Sequence, residues 1–384
     1  MLLSEDHLAV QDAVRAYVQA EIAPHAAAWD KSHHFPAAQL KGLAALGCYG
    51  VAVPAEWDGA GLDYLALAII LEEVAAGCGA TSTVVSVNNC PVCSILMAYG
   101  NADQKERFLK PLARGDMLGA FCLTEPHVGS EAGGLKTTAV LSKDKEGDSY
   151  VLNGVKQFIT SGKNGDVAIV MARTSPMSDK AAGKKGISAF IVPTKTPGYT
   201  VARVEDKLGQ HASDTAQILF DNCRVPAVNL LGEEGMGLKI ALSGLEGGRI
   251  GIASQAVGMA RAAFEAALAY SKDRKTFGQI IFQHQAVQFK LADMATQVEV
   301  ARQMIHHAAS LKDAGRPCLK EAAMAKLFAS EMAERVCSDA IQVFGGYGYV
   351  SDFPVERIYR DVRVCQIYEG TSEVQKIIIG RALA

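Results

Sequence analysis

Apolar residues recur at helical spacing from the amino terminus to about residue 115. Ser4 can cap a first helix, whose apolar flank comprises Leu8, Val14, Val18 and Ile22. Two further helices are predicted, one at about 64–77 and one over 102–113 that Asn101 can cap. We therefore predict an N-terminal helical domain over residues 1–118.

Short runs of β-favouring residues replace the helical pattern between residues 119 and 230. Turn signals such as Asn153-Gly154 and Pro197-Gly198 separate them. The runs are 150–152, 167–171, 187–192 and 218–220. This pattern predicts an antiparallel sheet domain, barrel-like or sandwich-like, in which the lysine-rich segment 180–185 is a solvated hairpin tip.

The helical period returns at about residue 235 and continues to the carboxyl terminus. One stripe alternates steps of four and three residues, and it contains Val287, Leu291, Met294, Val298, Ala301 and Ile305. Such stripes must pack against neighbouring helices, so residues 231–384 are predicted to form a four-helix bundle. The predicted fold class is α+β, with a helical domain, a β-sheet domain and a helical bundle in chain order.

Composition narrows the possible partners. The chain has 384 residues with 38 basic and 41 acidic side chains, a formal charge of −3, so no basic excess favours nucleic acid or an anionic membrane. No apolar run is long enough for a membrane span, and no export signal is visible, so we expect a cytoplasmic protein. Nine cysteines without framework spacing fit reduced thiols, and Cys90 and Cys93 are expected to be buried small residues.

Common catalytic signatures are missing. The sequence lacks the glycine-rich dinucleotide fingerprint, the P-loop and the serine nucleophile elbow. The histidines form adjacent pairs, His33-His34 and His306-His307, whose members point to different faces of a helix. We expect these histidines to be solvated or to cap helices, and we predict no metal site.

Several polar segments punctuated by glycine stand out instead. They are Leu-Thr-Glu-Pro-His-Val-Gly-Ser at 123–130, Arg-Lys-Thr-Phe-Gly at 274–278, Gln-Val-Phe-Gly-Gly at 342–346 and Tyr-Glu-Gly-Thr at 368–371. Each segment alone is compatible with a turn or a helix cap. Together, in this order and spacing, they resemble the acyl-CoA dehydrogenase family over nearly the whole chain, and most closely its short-chain (butyryl-CoA) and short branched-chain (isobutyryl-CoA) members.

The resemblance implies FAD-dependent oxidation of a short-chain acyl-CoA to the trans-2-enoyl-CoA. Glu369 matches the family's base and would remove the α-proton, while the β-hydrogen passes to the flavin as hydride. Burial beside an apolar acyl chain should raise the pKa of this carboxyl. Some relatives carry the base immediately before the counterpart of Arg249, but this chain has Gly248 there. A structural alternative for Glu369 is an acid preceding a helix that begins with the capping pair Ser372 and Gln375.

The resemblance also implies the cofactor and substrate contacts. Residues expected along the flavin are Phe121, Leu123, Thr124, Gly129, Ser130, Phe158, Ile159 and Thr160. Residues expected to bind the FAD pyrophosphate and adenosine across a subunit boundary are Arg274, Phe277, Gln285, Gln342, Gly345 and Gly346, with Thr371 and Glu373 on the first subunit. Substrate contacts are expected from Ser130, Glu246, Arg249, Tyr368 and Gly370.

The family pattern further implies a homotetramer, a dimer of dimers, that passes its electrons to an electron-transferring flavoprotein. Phe158 stands where many members have Trp, and Glu131 replaces their more common Asp. Three alternatives remain open at this point: a branched-chain substrate, other flavin chemistry on CoA thioesters or small nitro compounds, and a non-enzymatic scaffold descended from the family. The presence of Glu369 argues against the last two.

Overall fold

The computed structural model describes residues 3–143, 147–176 and 186–384. The chain forms a helical region, a β-sheet region and a second helical region in that order, which confirms the predicted fold class. The lysine-rich segment 180–185 lies outside the described residues. The domain boundaries at residues 118 and 230 stay predictions.

The N-terminal region is built from short and medium helices. They are α1 (Glu5–Glu21), α2 (Ala26–Ser32), α3 (Ala37–Ala45), α4 (Tyr64–Gly77), α5 (Gly79–Val87), α6 (Ser94–Tyr99), α7 (Ala102–Gln104) and α8 (Lys110–Arg114), with π-helical segments at Asn88–Cys93 and Lys105–Leu109. Ser4 caps α1 and Asn101 caps α7, as predicted, and Asn101 also forms a capping box with Gln104. Of the predicted apolar flank, Val14, Val18 and Ile22 are buried, whereas 46% of Leu8 is exposed.

The sheet region contains eight strands within the described residues. They are β1 (Gly119–Cys122), β2 (Thr138–Ser142), β3 (Ser149–Thr160), β4 (Val167–Arg173), β5 (Ile187–Pro193), β6 (Tyr199–Val204), β7 (Thr215–Pro226) and β8 (Leu230–Leu231). The strand order is β6-β7-β3-β2-β4-β5-β8, and β1 lies against β4. Most neighbours are antiparallel as predicted, but β1 runs parallel to β4, with Phe121 opposite Ile169. Local strand patterns do not encode this non-local pairing.

The C-terminal region contains long helices followed by shorter ones. The long helices are α9 (Gly237–Asp273), α10 (Gln285–Asp313) and α11 (Leu319–Phe344), and the shorter ones are α12 (Val355–Val362) and α13 (Ser372–Ala382), with a two-stranded hairpin of β9 (Lys275–Thr276) and β10 (Gln279–Ile280). The predicted stripe on α10 is buried from Leu291 to Ile305. None of the helices in the described ranges is long and apolar enough to cross a membrane.

A network of ion pairs joins the two helical regions. Glu72 and Glu73 of α4 are buried, and Arg261 of α9 contacts both, at 3.0 and 2.7 Å. Arg15 of α1 reaches Glu73 at 2.7 Å, and Arg302 of α10 reaches Glu72 at 2.9 Å. Buried carboxylates require such partners, because an unpaired buried charge is strongly unfavourable. The network therefore fixes α4 between α1 and the long helices.

His306 corrects one prediction from the sequence. It is buried on α10, whereas we expected it to be solvated or to cap a helix. Burial lowers the pKa of His306, partly offset by the nearby Glu72 carboxylate. Its position on α10 places the ring in the core. The two adjacent histidines point to different faces of the helix, and the sequence alone does not show which of them faces inward.

The contact between α4 and α9 leaves no room for a side chain at Gly258. A β-carbon there would lie 2.2 Å from the carbonyl oxygen of Glu72 and 2.8 Å from Cβ of Ala75. Gly258→Ala should therefore destabilise the protein by about 1–3 kcal/mol by forcing the helices apart. Thermal unfolding measures this effect.

Gly380→Ala is the matched control, because a β-carbon at this position on α13 would meet no atom of the described residues within 4 Å beyond its own helix backbone. This variant should be neutral or more stable by about 0.5 kcal/mol, since alanine favours a helix over glycine. Equal melting temperatures for the Gly258 variant and wild type would contradict the close packing.

Candidate active site

The loop before α13 places Glu369 in an unusual backbone conformation. Its φ is +54°, in the left-handed region that non-glycine residues seldom adopt. Its Oε2 atom is buried and has no hydrogen-bond partner in the part of the chain that the structure describes. A strained backbone and an unpaired buried carboxyl oxygen together are typical of a functional site rather than a structural acid.

Polar side chains hold the loop by its carbonyl groups. Lys326 of α11 donates from Nζ to the Gly370 carbonyl oxygen at 2.7 Å. The Nε2 atom of Gln375 donates to the same oxygen at 2.8 Å and to the Glu369 carbonyl oxygen at 3.2 Å. Among the described residues, no group accepts a hydrogen bond from the Glu369 N–H. That donor is therefore available to a ligand.

The start of α13 is not capped by the pair Ser372 and Gln375, which was the structural alternative considered for Glu369. The Thr371 side chain accepts from the Val374 N–H and caps the helix, so Ser372 is the first helical residue. Gln375 bonds the loop carbonyls instead of completing a capping box with Ser372. Helix capping consequently does not account for Glu369, because its carboxyl contributes to neither interaction.

The Glu369 carboxyl occupies the space in front of Gly248 on α9. A β-carbon at residue 248 would lie only 2.6 Å from Oε2 of Glu369 and 2.9 Å from its Cδ atom. Any larger residue at this position would displace the carboxyl. The glycine therefore explains how the two elements can approach each other so closely.

Arg249 supplies positive charge beside this carboxyl. It is only 4% exposed, and its Nε and Nη1 atoms have no partner within the described ranges. Burial raises the pKa of Glu369 to about 7, and Arg249 and Lys326 partly oppose that rise. Burial also lowers the pKa of Arg249, which the charges of Glu369 and Glu246 oppose. The site thus pairs a carboxyl that titrates near neutrality with a cation that has unused donors.

Tyr368 begins a buried chain of hydrogen bonds that sequence reasoning did not detect. Its hydroxyl donates to Gln255 Oε1 at 2.8 Å, and Gln255 Nε2 donates to Thr83 Oγ1 at 3.1 Å. Thr83 donates to Gln210 Oε1 at 2.6 Å, and Gln210 bonds both the backbone and the carboxyl of Asp361. The residue before Glu369 is thereby connected to all three regions of the fold.

A second predicted group lies where β1 ends and β3 passes beside it. The Gln157 N–H donates to the Thr124 carbonyl oxygen at 2.8 Å, which brings Thr124 next to Phe158. Phe158 has a φ of +59° and is 63% exposed, while Leu123 and Ile159 are buried. The remaining members, Phe121, Gly129, Ser130 and Thr160, lie on the same segments and are partly or fully exposed.

A buried ion pair supports this group, and the sequence analysis missed it. Lys156 of β3 is fully buried and reaches Glu125 Oε1 at 2.9 Å and the Leu123 carbonyl oxygen at 3.0 Å. Glu125 also accepts from the Lys136 and Thr137 N–H groups. The pair fixes the segment after β1 against β3. The sequence offered one signal for this buried pair, which was a lysine within a β-favouring segment.

The predicted pyrophosphate and adenosine residues lie on an exposed surface. The Arg274 guanidinium is 5.8 Å from the ring centre of Tyr347, which brings the β9–β10 hairpin next to the end of α11. Phe277 has a φ of +52° and is 97% exposed. The other members, Gln285, Gln342, Gly345, Gly346 and Glu373, are also exposed. An uncovered phenylalanine of this kind is typical of a surface that binds a ligand or another subunit.

Glu246 lies one turn before Arg249 and is engaged by other residues. Lys312 Nζ is 3.2 Å from its Oε1 atom, and the Cys318 thiol donates to the same oxygen at 3.5 Å. The carboxyl of Glu246 is thus held on the side of α9 that also carries Arg249.

Both Cys90 and Cys93 are buried free thiols, as the sequence predicted.

One cluster has the composition of a metal site but lacks a free ligand set. Atoms of His33, Asp206 and His211 lie within 4.8 Å of one another. Both ring nitrogens of His211 are already engaged, by the Lys207 carbonyl at 2.6 Å and by Asp30 at 2.9 Å. A histidine ligand needs a free lone pair, so His211 would have to give up one of these contacts.

Comparison with known proteins agrees with this geometry. Sequence models of the acyl-CoA dehydrogenase N-terminal, middle and C-terminal domains match residues 4–116, 120–223 and 235–384. The chain belongs to the acyl-CoA dehydrogenase family. Members of this family are FAD-dependent oxidoreductases, which confirms the class of enzyme and the cofactor inferred from the sequence.

Individual relatives cover almost the full chain. The short-chain specific acyl-CoA dehydrogenase of Rattus norvegicus mitochondria is 48% identical over 98% of this chain and 90% of its own length. Butyryl-CoA dehydrogenase from Megasphaera elsdenii superposes with a TM-score of 0.94 at 40% identity, covering 100% and 99% of the two chains. A chain in a structure of the electron transferring flavoprotein of Acidaminococcus fermentans has a TM-score of 0.96 at 44% identity, with coverage of 100% and 99%.

Glu369→Gln should change how the stability of this acyl-CoA dehydrogenase depends on pH. The pKa of about 7 lies above the ordinary value of 4.5, so the folded state binds this proton more tightly than the unfolded state does. Through this group the free energy of unfolding of the wild type falls as pH rises between these two values. The neutral amide causes no such decline. The variant should therefore melt at a higher temperature than wild type at about pH 8, with little difference at about pH 4.5.

Glu106→Gln provides the control, because this carboxylate is exposed on an N-terminal helical segment. Melting curves of the holoenzymes at the two pH values measure the effect. A pH-independent difference between the Glu369 variant and wild type would show that the carboxyl does not titrate near neutrality.

Proposed function

We propose that the protein oxidises short-chain acyl-CoA thioesters to trans-2-enoyl-CoA, with Glu369 as the base. The observation that carries the proposal is the buried, unpaired Oε2 atom of Glu369, on a carboxyl with a pKa of about 7. A general base works best when its pKa is near the working pH. The left-handed backbone at Glu369 holds this carboxyl toward α9 instead of toward solvent.

The α-proton of a thioester is weakly acidic, so its removal requires stabilisation of the resulting enolate charge. The Glu369 N–H is without an acceptor in the described structure and supports this role. Arg249 adds a nearby positive charge with unused donors. The base and the enolate donor therefore belong to the same residue, so that the carboxyl would act on the α-proton while the N–H donates to the neighbouring thioester oxygen.

FAD, when bound, accepts the β-hydrogen as hydride. The residues present fit a flat aromatic group, because Phe158 exposes an apolar ring beside the backbone of Thr124. We assign Phe121, Leu123, Thr124, Gly129, Ser130, Phe158, Ile159 and Thr160 to the flavin side of the site. Substrate contacts are assigned to Ser130, Glu246, Arg249, Tyr368 and Gly370.

The pyrophosphate and adenosine of FAD are assigned to Arg274, Phe277, Gln285, Gln342, Gly345 and Gly346 of a partner subunit, with Thr371 and Glu373. The exposure of Phe277 and Arg274 supports this shared arrangement, since a partner would cover them. A guanidinium is well suited to phosphate, because it can donate two parallel hydrogen bonds. On this basis the protein acts as an oligomer, a homotetramer arranged as a dimer of dimers.

The proposals for the length of the acyl chain and for the electron acceptor rest on the relatives of this chain. The Rattus norvegicus protein is named short-chain specific and the Megasphaera elsdenii protein is a butyryl-CoA dehydrogenase, which supports an acyl chain of about four carbons. The similarity to a chain in the electron transferring flavoprotein structure supports that class of protein as the acceptor. A cytoplasmic location completes the proposal.

Glu369→Gln should abolish most of the reaction while leaving FAD bound. Loss of a positioned base lowers the rate by at least about 100-fold. Anaerobic stopped-flow measurement of flavin bleaching by butyryl-CoA gives this rate directly, and a series of acyl-CoA substrates of graded length and branching defines specificity. Glu106→Gln should reduce flavin at the wild-type rate. Near-normal bleaching in the Glu369 variant would refute the assignment of the base.

Arg274→Ala should weaken FAD retention by removing a phosphate contact that one subunit supplies to another. The ratio of flavin to protein after gel filtration, together with sedimentation analysis, measures binding and assembly. Arg203→Ala is the control, since this arginine is exposed on β6 and pairs with Glu205. Tight flavin binding by an isolated monomer would exclude a site shared between subunits.

A further inference from the structure

A buried lysine lies behind the proposed base. Lys326 of α11 has no exposed surface, and its Nζ atom donates to the Gly370 carbonyl oxygen at 2.7 Å. Among the described residues, no carboxylate lies within ion-pair distance of this ammonium group. Lysine is seldom fully buried unless its charge is paired. Burying this charge costs free energy of folding, so we expect a functional reason for its position.

The charged and titratable groups around Lys326 come from several elements. They are Arg249 on α9, Cys365 and Glu369 before α13, and Glu373 on α13. Burial lowers the pKa of Lys326 to about 8, so its ammonium form still predominates at neutral pH. Burial raises the pKa of Cys365 to about 11, which keeps that thiol neutral. Of the two carboxyls near Lys326, Glu369 is the one with a buried oxygen atom, Oε2, whereas Glu373 is exposed.

The hydrogen bond of Lys326 also restrains the loop. The left-handed backbone at Glu369 is unfavourable for a residue with a side chain. Lys326 and Gln375 hold the two carbonyl groups that follow the Glu369 α-carbon, at 2.7–3.2 Å. These bonds favour the conformation in which the carboxyl points toward Gly248 and the Glu369 N–H has no protein acceptor.

We propose that Lys326 is a positioning residue for Glu369, which holds the loop through the Gly370 carbonyl and favours the ionised form of the base through its charge. The inference rests on the proposed function, because it concerns the residue assigned there as the base. Lys326 is assigned no contact with the substrate, because its Nζ atom already donates to the Gly370 carbonyl oxygen.

The test uses two substitutions that separate the hydrogen bond from the charge. Lys326→Met removes both, and Lys326→Gln keeps an N–H donor for the Gly370 carbonyl but no charge. Removing a nearby cation disfavours a carboxylate, so the apparent pKa of the base in flavin reduction should rise by about one unit in both variants. The reduction rate by butyryl-CoA should then fall about 10-fold at about pH 6 and much less at about pH 9.

Two further variants serve as references. Lys326→Arg keeps the charge and should retain the wild-type pH profile. Lys320→Met removes a half-buried lysine that pairs with Glu321 at the start of the same helix, and it should also leave the profile unchanged. If Lys326→Met fails to fold, the comparison of the Gln and Arg variants decides the question. Equal shifts in these two variants, or no shift in the Gln variant, would overturn the role of the charge.

Infrared spectroscopy provides a measurement that does not depend on turnover. The protonated carboxyl band that is present in wild type and missing in Glu369→Gln identifies Glu369. In Lys326→Gln this band should persist to a higher pH than in wild type. A band that disappears at the same pH in both proteins would contradict the proposal.

Failure of this inference can be told apart from failure of the proposed function. Flavin reduction that survives Glu369→Gln at every pH would refute the base itself. Loss of reduction in Glu369→Gln, combined with unshifted profiles in the Lys326 variants, would leave the base in place and remove only the role of Lys326.

Discussion

The organisation of the site depends on one constraint, which is that one oxygen of a carboxyl group must be kept away from water without a hydrogen-bond partner. Oε2 of Glu369 meets this condition. Burying a polar atom without a partner is energetically unfavourable, so the surrounding residues must hold it in place. Gly248 gives it space, the carbonyl-binding side chains of Lys326 and Gln375 fix its loop, and Arg249 balances its charge.

Two buried lysines illustrate different uses of charge in this protein. Lys156 forms a direct ion pair with Glu125 and joins the end of β1 to β3. Lys326 instead bonds a neutral carbonyl and leaves its charge to act on a carboxyl nearby. The first arrangement stabilises a fixed geometry, while the second influences protonation. Burial alone therefore does not reveal what a lysine does, and its partner must be known.

Much of the fold could be predicted because its signals are local. The apolar run that forms α4, the caps at Ser4 and Asn101, and the buried stripe on α10 all follow from nearest-neighbour chemistry. The parallel pairing of β1 with β4 could not be predicted in this way, because it joins segments that are far apart in sequence. Exposed Leu8 and buried His306 show that periodicity within one helix does not reveal what covers each face.

The candidate site likewise contains residues that the sequence identified and residues that it missed. Glu369 was identified because a contiguous motif surrounds it, and so were the flavin and pyrophosphate segments, whose roles stay predictions. Lys326 and Lys156 were missed because isolated charges within apolar patterns carry no periodic signal, and Glu125 was missed because its partner Lys156 is distant in the sequence. Their significance depends on three-dimensional contacts that only the folded chain creates.

The hydrogen-bonded chain that begins at Tyr368 has a consequence for how the molecule is held together. Thr83 belongs to the first helical region, Gln210 to the segment between β6 and β7, and Gln255 and Asp361 to the second helical region. Separating any one region from the others would leave polar atoms of this chain without partners in a dry interior, which is energetically unfavourable. The three regions are consequently expected to melt cooperatively, and a fragment containing only one of them would lack the framework that orients the loop carrying Glu369.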